Sequence, residues 1–133
     1  KSLMSNELVD NNVHLTINVD PENLEFHADP KLIEQVLINL VTNAIHALEK
    51  VRSAKVQLKG FRNKRGKVTL QVVDNGKGIL QEVLDKIFIP FFTTKQKGSG
   101  IGLSLSKQIM RLHGGSINAY SEPDKGTTFT MTF

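Results

Sequence analysis

The chain predicts an α/β protein, a two-layer sandwich in which helices pack on one face of a mixed, mostly antiparallel sheet. Three observations carry this. Short segments at 13–19, 55–61, 67–74, 115–121 and 126–133 are rich in β-branched and aromatic residues, and several alternate apolar with polar. Two longer stretches, residues 29–51 and 101–113, instead place apolar residues at helical spacing. Helices and strands are interspersed, with no internal repeat.

Residues 1–12, with Leu3, Leu8 and Val9 as apolar positions, read as a connector or the remnant of a preceding helix. "VHLTINV" at 13–19 alternates strictly and predicts a half-buried strand. The next element is the most strongly patterned. Asp29 stands as N-cap and Pro30 at the first helical position, followed by Leu32, Ile33, Val36, Leu37, Leu40 and Ala44 on one face. "KVQLKGF" (55–61) and "KVTLQVVD" (67–74) flank "RNKRG" as a hairpin. A short helix is expected through 80–87, then a Pro- and Gly-punctuated segment to residue 100. A helix follows, closed by Gly114 and Gly115, and two strands meet around "EPDKG".

Composition narrows the class. The 133 residues are 39% hydrophobic and 23% charged, as in an ordinary globular domain. No apolar run approaches the roughly 18 residues of a membrane span. Cysteine is absent, which excludes disulfides and thiolate metal sites and fits a reducing, cytoplasmic setting. The net charge of +4 is uneven: eight basic residues and no acidic one lie between Lys50 and Lys67. Two readings stay open there, a solvated hairpin and a docking surface for nucleic acid or an acidic face. Phe61 is the single aromatic in that segment, which argues against a single-strand platform.

The residues with chemistry are unusually placed. Asn39 and Asn43 lie one i,i+4 step apart on the long helix, although asparagine is a mediocre helix former. Asp74 ends a strand and is followed by Asn75, Gly76 and Gly78, so its carboxylate is left at the strand's mouth; an ordinary Asp-Asn-Gly turn is the alternative. Gly98, Gly100 and Gly102 run into a helix, where bare N–H groups and the positive helix end suit a phosphate chain. The segment has neither the Lys-Ser/Thr of a P-loop nor the G-x-G-x-x-G spacing. A flexible, glycine-rich helix start is the equal alternative.

In order, N-x-x-x-N-A, D-N-G-x-G-I, F-x-P-F-F-T-T-K, G-S-G-I-G-L and G-T-T-F resemble the GHKL ATP-binding fold. More narrowly, the sequence is similar to the catalytic and ATP-binding domain of bacterial sensor histidine kinases, with forms like those of the nitrogen-regulation type. The resemblance runs from Asp29 to Phe133, and makes 13–133 the ATP-binding domain. It implies ATP and Mg²⁺ as cofactors. Asn43 would give its amide oxygen to Mg²⁺, Asn39 would face the same phosphates, and His46 would approach the γ-phosphate or lie free on the surface. Asp74 would accept a hydrogen bond from the adenine amino group, with Gly76, Gly78 and Ile79 around the base. Phe88, Phe91 and Phe92 match the motif before a mobile lid that begins at Thr94 and Lys95. Gly98, Ser99, Gly100, Ile101, Gly102 and Leu103 would wrap the phosphates, and Thr127 would fix the adenine end.

The resemblance also implies what is not in this chain. ATPases of this fold place a glutamate where Asn39 stands, and an amide cannot act as that general base. Binding with little turnover is therefore expected of this chain alone. None of His14, His27, His46 or His113 is followed by the acidic residue that marks a phosphate acceptor. The acceptor is expected on dimerisation helices preceding Lys1, in a parent kinase that is homodimeric, serves a response-regulator receiver domain and is anchored to a membrane or free of it. This fragment is expected to be monomeric and not to bind nucleic acid. The alternatives are a serine kinase of the anti-sigma-factor type and a basic binding module.

Overall fold

The computed structural model describes residues 13–20, 24–90 and 102–133. Strand β1 (His14–Val19) leads to helix α1 (Pro30–Ala47), then strands β2 (Lys55–Arg62) and β3 (Val68–Asp74). The single-turn helix α2 (Gln81–Leu84), helix α3 (Gly102–Leu112) and strands β4 (Ser116–Glu122) and β5 (Gly126–Thr132) complete it. The expected connector at 1–12 lies outside the described residues. No helix among the described residues is long and apolar enough to cross a membrane.

The five strands form one sheet in the order β1-β2-β3-β5-β4. Only β1 and β2 are parallel; every other pair is antiparallel. The parallel pair follows from the connection, because a long helix between two neighbouring strands returns the chain to its starting end. Along β2, β3, β5 and β4, alternate residues point to the helical layer: Val56, Val72, Phe129, Met131 and Ile117 are all buried. They meet Ile33, Val36, Leu40, Val41, Ala44 and Ile45 of α1, and Ile109 and Met110 of α3. Leu40, Val36, Val56 and Met131 have no solvent exposure at all, and mark the centre of the core.

Asp29 caps α1 as its composition predicts, its carboxylate accepting from the N–H groups of Lys31 and Leu32 at 3.0 and 3.3 Å. The hairpin turn is built on Asn63, whose Oδ1 accepts from Arg65 and Lys67 N–H. Two expectations need correction. Strand β1 is an edge strand whose apolar face is largely uncovered: Leu15 is half-buried, but Ile17 is 45% exposed and Val19 39%. The helix expected through 80–87 closes after one turn, where Val83, Leu84 and Ile87 are already packed and a longer rod would leave the core.

His113 has a tertiary role rather than a simple end-of-helix one. Its Nδ1 lies 2.8 Å from the Ile109 carbonyl, and its Nε2 accepts from the backbone N–H of Asp29 at 3.0 Å. Only the tautomer with the proton on Nδ1 makes both bonds. The ring therefore straps the end of α3 to the cap of α1, the two helices that form one layer. We expect His113→Ala to lower unfolding stability by about 1–2 kcal/mol, from two lost hydrogen bonds at a half-buried position. Urea denaturation reads this, and an unchanged midpoint would mean that the strap carries nothing.

Candidate functional site

Strand β3 runs through the middle of the sheet and delivers Asp74 to its end, on the helical side and 6% exposed. Oδ1 accepts from the Gly76 N–H at 2.8 Å, a bond that the tight turn after the strand creates. The neighbouring strand places Thr127 directly opposite Asp74. Burial pushes the Asp74 carboxyl above the ordinary carboxylate range, and backbone hydrogen bonds from Gly76 and Thr127 pull partly against it. A desolvated carboxylate at the sheet's end is a strong acceptor for any N–H donor that reaches it.

The neighbourhood of Asp74 is fixed by hydroxyls. Ser121 Oγ lies 2.9 Å from the Gly126 carbonyl and 2.9 Å from Thr127 Oγ1, and accepts from the Ile79 N–H at 2.8 Å. Ser121 and Thr127 are both buried, at 4% exposure. One serine thus ties the loop after β3 to the β4–β5 turn. Gly76 and Gly78 earn their places by protein packing. A Cβ at Gly76 would lie 2.6 Å from the Ala47 carbonyl oxygen at the end of α1, and one at Gly78 2.2 Å from that of Glu122. The backbone here is pressed between helix end and turn, with no room for a side chain.

Along α1, Asn43 and Asn39 stand one and two turns back from Ala47, about 6 and 12 Å along the axis. Both are half-buried. Asn39 Nδ2 donates to Ser106 Oγ at 3.2 Å, and Ser106 Oγ donates to the Gly102 carbonyl at 2.9 Å. Gly102 begins α3 so close to Asn39 that an added Cβ would sit 2.2 Å from Asn39 Oδ1. Two asparagines in line on α1 therefore define a wall from the Asp74 turn at one end to the start of α3 at the other.

His46, in the last turn of α1, is exposed. Ile79 and Leu103 are partly buried against the core. Phe88 packs edge-on to Phe129, with ring centroids 6.4 Å apart, and Lys107 Nζ stands 5.5 Å from its ring centre. Phe91, Phe92, Thr94, Lys95, Gly98, Ser99, Gly100 and Ile101 lie outside the described residues. Ser106 and Ser121, which hold Asn39 and the Asp74 turn in place, were not singled out by sequence. Serines are too common to stand out, and only tertiary contact gives these two their role.

Residues 28–133 match the family model of the histidine kinase-, DNA gyrase B- and HSP90-like ATPases. The chain belongs to that ATPase family. It is 38% identical over 129 residues to the sensor histidine kinase ZraS of Klebsiella oxytoca, covering 97% of this chain and 28% of that protein. The histidine-protein kinase AtoS of Escherichia coli (strain K12) is 38% identical over 113 residues, covering 85% of this chain and 18% of its own length. Among solved structures, the nucleotide-free catalytic domain of histidine kinase ThkA superposes with a TM-score of 0.86 at 34% identity, over 99% of this chain and 86% of that domain. ThkA in complex with the response regulator TrrA gives a TM-score of 0.81 at 33% identity, over 99% of this chain and 37% of that one. The chain thus spans less than a third of the length of ZraS and of AtoS, and is homologous to the ATP-binding catalytic domain of sensor histidine kinases.

The raised Asp74 carboxyl makes a pH signature. A group whose folded pKa lies above its unfolded value contributes stability at low pH, and that contribution is lost as pH rises through the folded value. Asp74→Asn removes the charge and keeps an acceptor for Gly76. The stability of the variant relative to wild type should therefore improve from acidic to neutral pH, measured by urea midpoints. A relative stability that falls with pH would contradict burial as the dominant cause.

Proposed function

We propose that this domain holds Mg-ATP along the α1 wall and presents its γ-phosphate to a histidine on the dimerisation domain of a longer kinase. The single observation that carries the reading is the buried Asp74 carboxylate at the open end of β3, in a chain of this ATPase family. Asp74 would accept from the exocyclic amino group of adenine, which guanine cannot offer at that position. Thr127 and the Gly76–Ile79 turn would hold the base. The phosphates would extend toward Asn43, Asn39 and Gly102, with the segment from Thr94 to Leu103 closing over them.

Magnesium fits the donor set as a shared ion. Among the described residues no cluster of three or more His, Asp or Glu side chains could hold a metal by itself. One amide oxygen from Asn43 would be completed by phosphate oxygens and water, the usual mode for this hard cation. When bound, the ion would supply charge neutralisation to the triphosphate. The chain's own contribution is positioning and exclusion of water. Asn39 is an amide turned toward Ser106, and it would not serve as a general base to activate water. ATP would wait there for a protein acceptor. On this reading, the parent protein would pass the phosphoryl group to a response regulator, as a homodimer whose catalytic domains lie in the cytoplasm, while this fragment alone would be monomeric. His46, exposed in the last turn of α1, would lie one turn beyond Asn43 and approach the phosphates from that side.

Calorimetry with ATP, with and without Mg²⁺, tests the assignment. Wild type should bind, Asp74→Asn should lose at least tenfold in affinity (about 1.4 kcal/mol), and Asn43→Ala should lose mainly the Mg²⁺-dependent part. Failure of the wild type to bind any adenine nucleotide would remove the proposal.

Gly102→Ala separates site geometry from stability. Its Cβ would displace the Asn39 amide, while alanine is about 1 kcal/mol the better helix former. ATP affinity should fall several-fold while the melting temperature drops by no more than a few degrees, the loss of the Asn39 contact being partly offset by helix propensity. Unchanged affinity would take Asn39 and the start of α3 out of the phosphate site.

A further inference from the structure

A concave surface lies just beyond the α1 C-terminus, lined by the loop from Leu48 to Lys55 and by His14 at the start of β1. It encloses about 760 Å³. Its floor is apolar, with Leu48 and Ala54 buried at 3% and 5% exposure. Its rim carries His14, Lys50, Arg52 and Lys55. None of these four side chains has an acidic partner among the described residues, where the one ion pair is Lys125–Glu122.

The concavity is held in shape from behind. Asn75 Oδ1 accepts from the Lys55 N–H at 2.7 Å, and Asn75 Nδ2 donates to the Ser53 carbonyl at 3.0 Å. Lys50 and Ser53 both hold the left-handed backbone conformation, at φ 65° and 53°. Such geometry persists in residues other than glycine where surrounding contacts over-determine it. The loop is therefore fixed by the residue next to Asp74, and its cations are presented on a set frame.

We propose that this concavity docks an acidic segment of a protein partner, with carboxylates on the cationic rim and an aliphatic side chain on the Leu48–Ala54 floor. Charge complementarity carries the choice of partner, and the distribution of charge favours protein over nucleic acid. The eight cations between Lys50 and Lys67 fall into a proximal group of three and a distal group of four, with Lys59 alone between them on β2. Arg62, Lys64, Arg65 and Lys67 sit at the far end of β2, whose eight residues separate the groups by about 23 Å. That distal group surrounds a self-bonded turn, in which Arg62 donates to the Gly66 carbonyl. No Phe, Tyr or Trp lines the concavity, and His14 is the one ring there on which a base could stack, too little for a stacking platform. This surface is distinct from the nucleotide wall, so its failure and that of the ATP assignment are separable.

The test is fluorescence anisotropy at low salt with a labelled Glu-Glu-Leu-Glu-Glu peptide, a duplex DNA of arbitrary sequence, and sodium tripolyphosphate as competitor. The peptide should bind, and the triple variant Lys50→Gln, Arg52→Gln, Lys55→Gln should weaken it about tenfold, the combined effect of three surface ion pairs. The variant Arg62→Gln, Lys64→Gln, Arg65→Gln, Lys67→Gln removes more charge and should leave binding within twofold. Arg52→Glu alone, at an exposed position, should reproduce the loss if the triple variant folds poorly. Equal weakening by both multiple variants would reduce the effect to net charge and overturn the proposal. So would tighter binding of the duplex than of the peptide, or full competition by tripolyphosphate at concentrations below those at which the peptide binds.

Discussion

A carboxylate kept out of water is the constraint around which this domain is arranged. Ionised Asp74 costs free energy to bury, and the protein offsets part of that cost with N–H groups rather than with a cation. Those N–H groups must come from fixed backbone. The turn through Gly76 is therefore wedged against the end of α1, and the following loop is tied to the β4–β5 turn by Ser121. The position of α1 over the sheet, the sharpness of the turn after β3 and the pairing of β5 beside it all serve one buried acceptor. Relaxing any of them would let water reach the carboxylate and weaken its demand for a ligand donor.

The two asparagines of α1 answer to a related logic. A half-buried amide in a helix must find a partner or lose stability. Asn39 finds Ser106, and through it the first carbonyl of α3. The same contact that satisfies the amide sets where α3 begins, and hence where its N-terminal N–H groups can meet an anion. On the proposed nucleotide reading, stability and ligand geometry are one set of bonds; the satisfied amide already explains why a poor helix former is tolerated at the seam of α1.

Much of this was legible in the sequence because it is periodic or local. The cap at Asp29, the helical face from Leu32 to Ala44, the strand ending at Asp74 and the Asn63 turn each follow from patterns a few residues long. The family motifs supplied the order and the nucleotide chemistry. Illegible were the features that depend on what lies across the fold. Ile17 and Val19 alternate like covered residues yet are exposed, because no helix among the described residues lies over that edge. His113 reads as an ordinary helix end until Asp29, 84 residues away, is seen to donate to it. Gly76 and Gly78 read as a tight turn, and only across the fold is it seen that backbone from α1 and from the β4–β5 turn fills the space that a Cβ would need.

The parallel edge strand has a consequence in time. His14 pairs with Lys55 only after the whole of α1 has been laid down between them, whereas β2 and β3 meet across a short turn. Closing the longer span costs more chain entropy before any ladder bond repays it. The β2–β3 hairpin is thus placed to form early and β1 to join late. Among the strands, β1 is also the one whose backbone amides should open most readily to exchange in the native state.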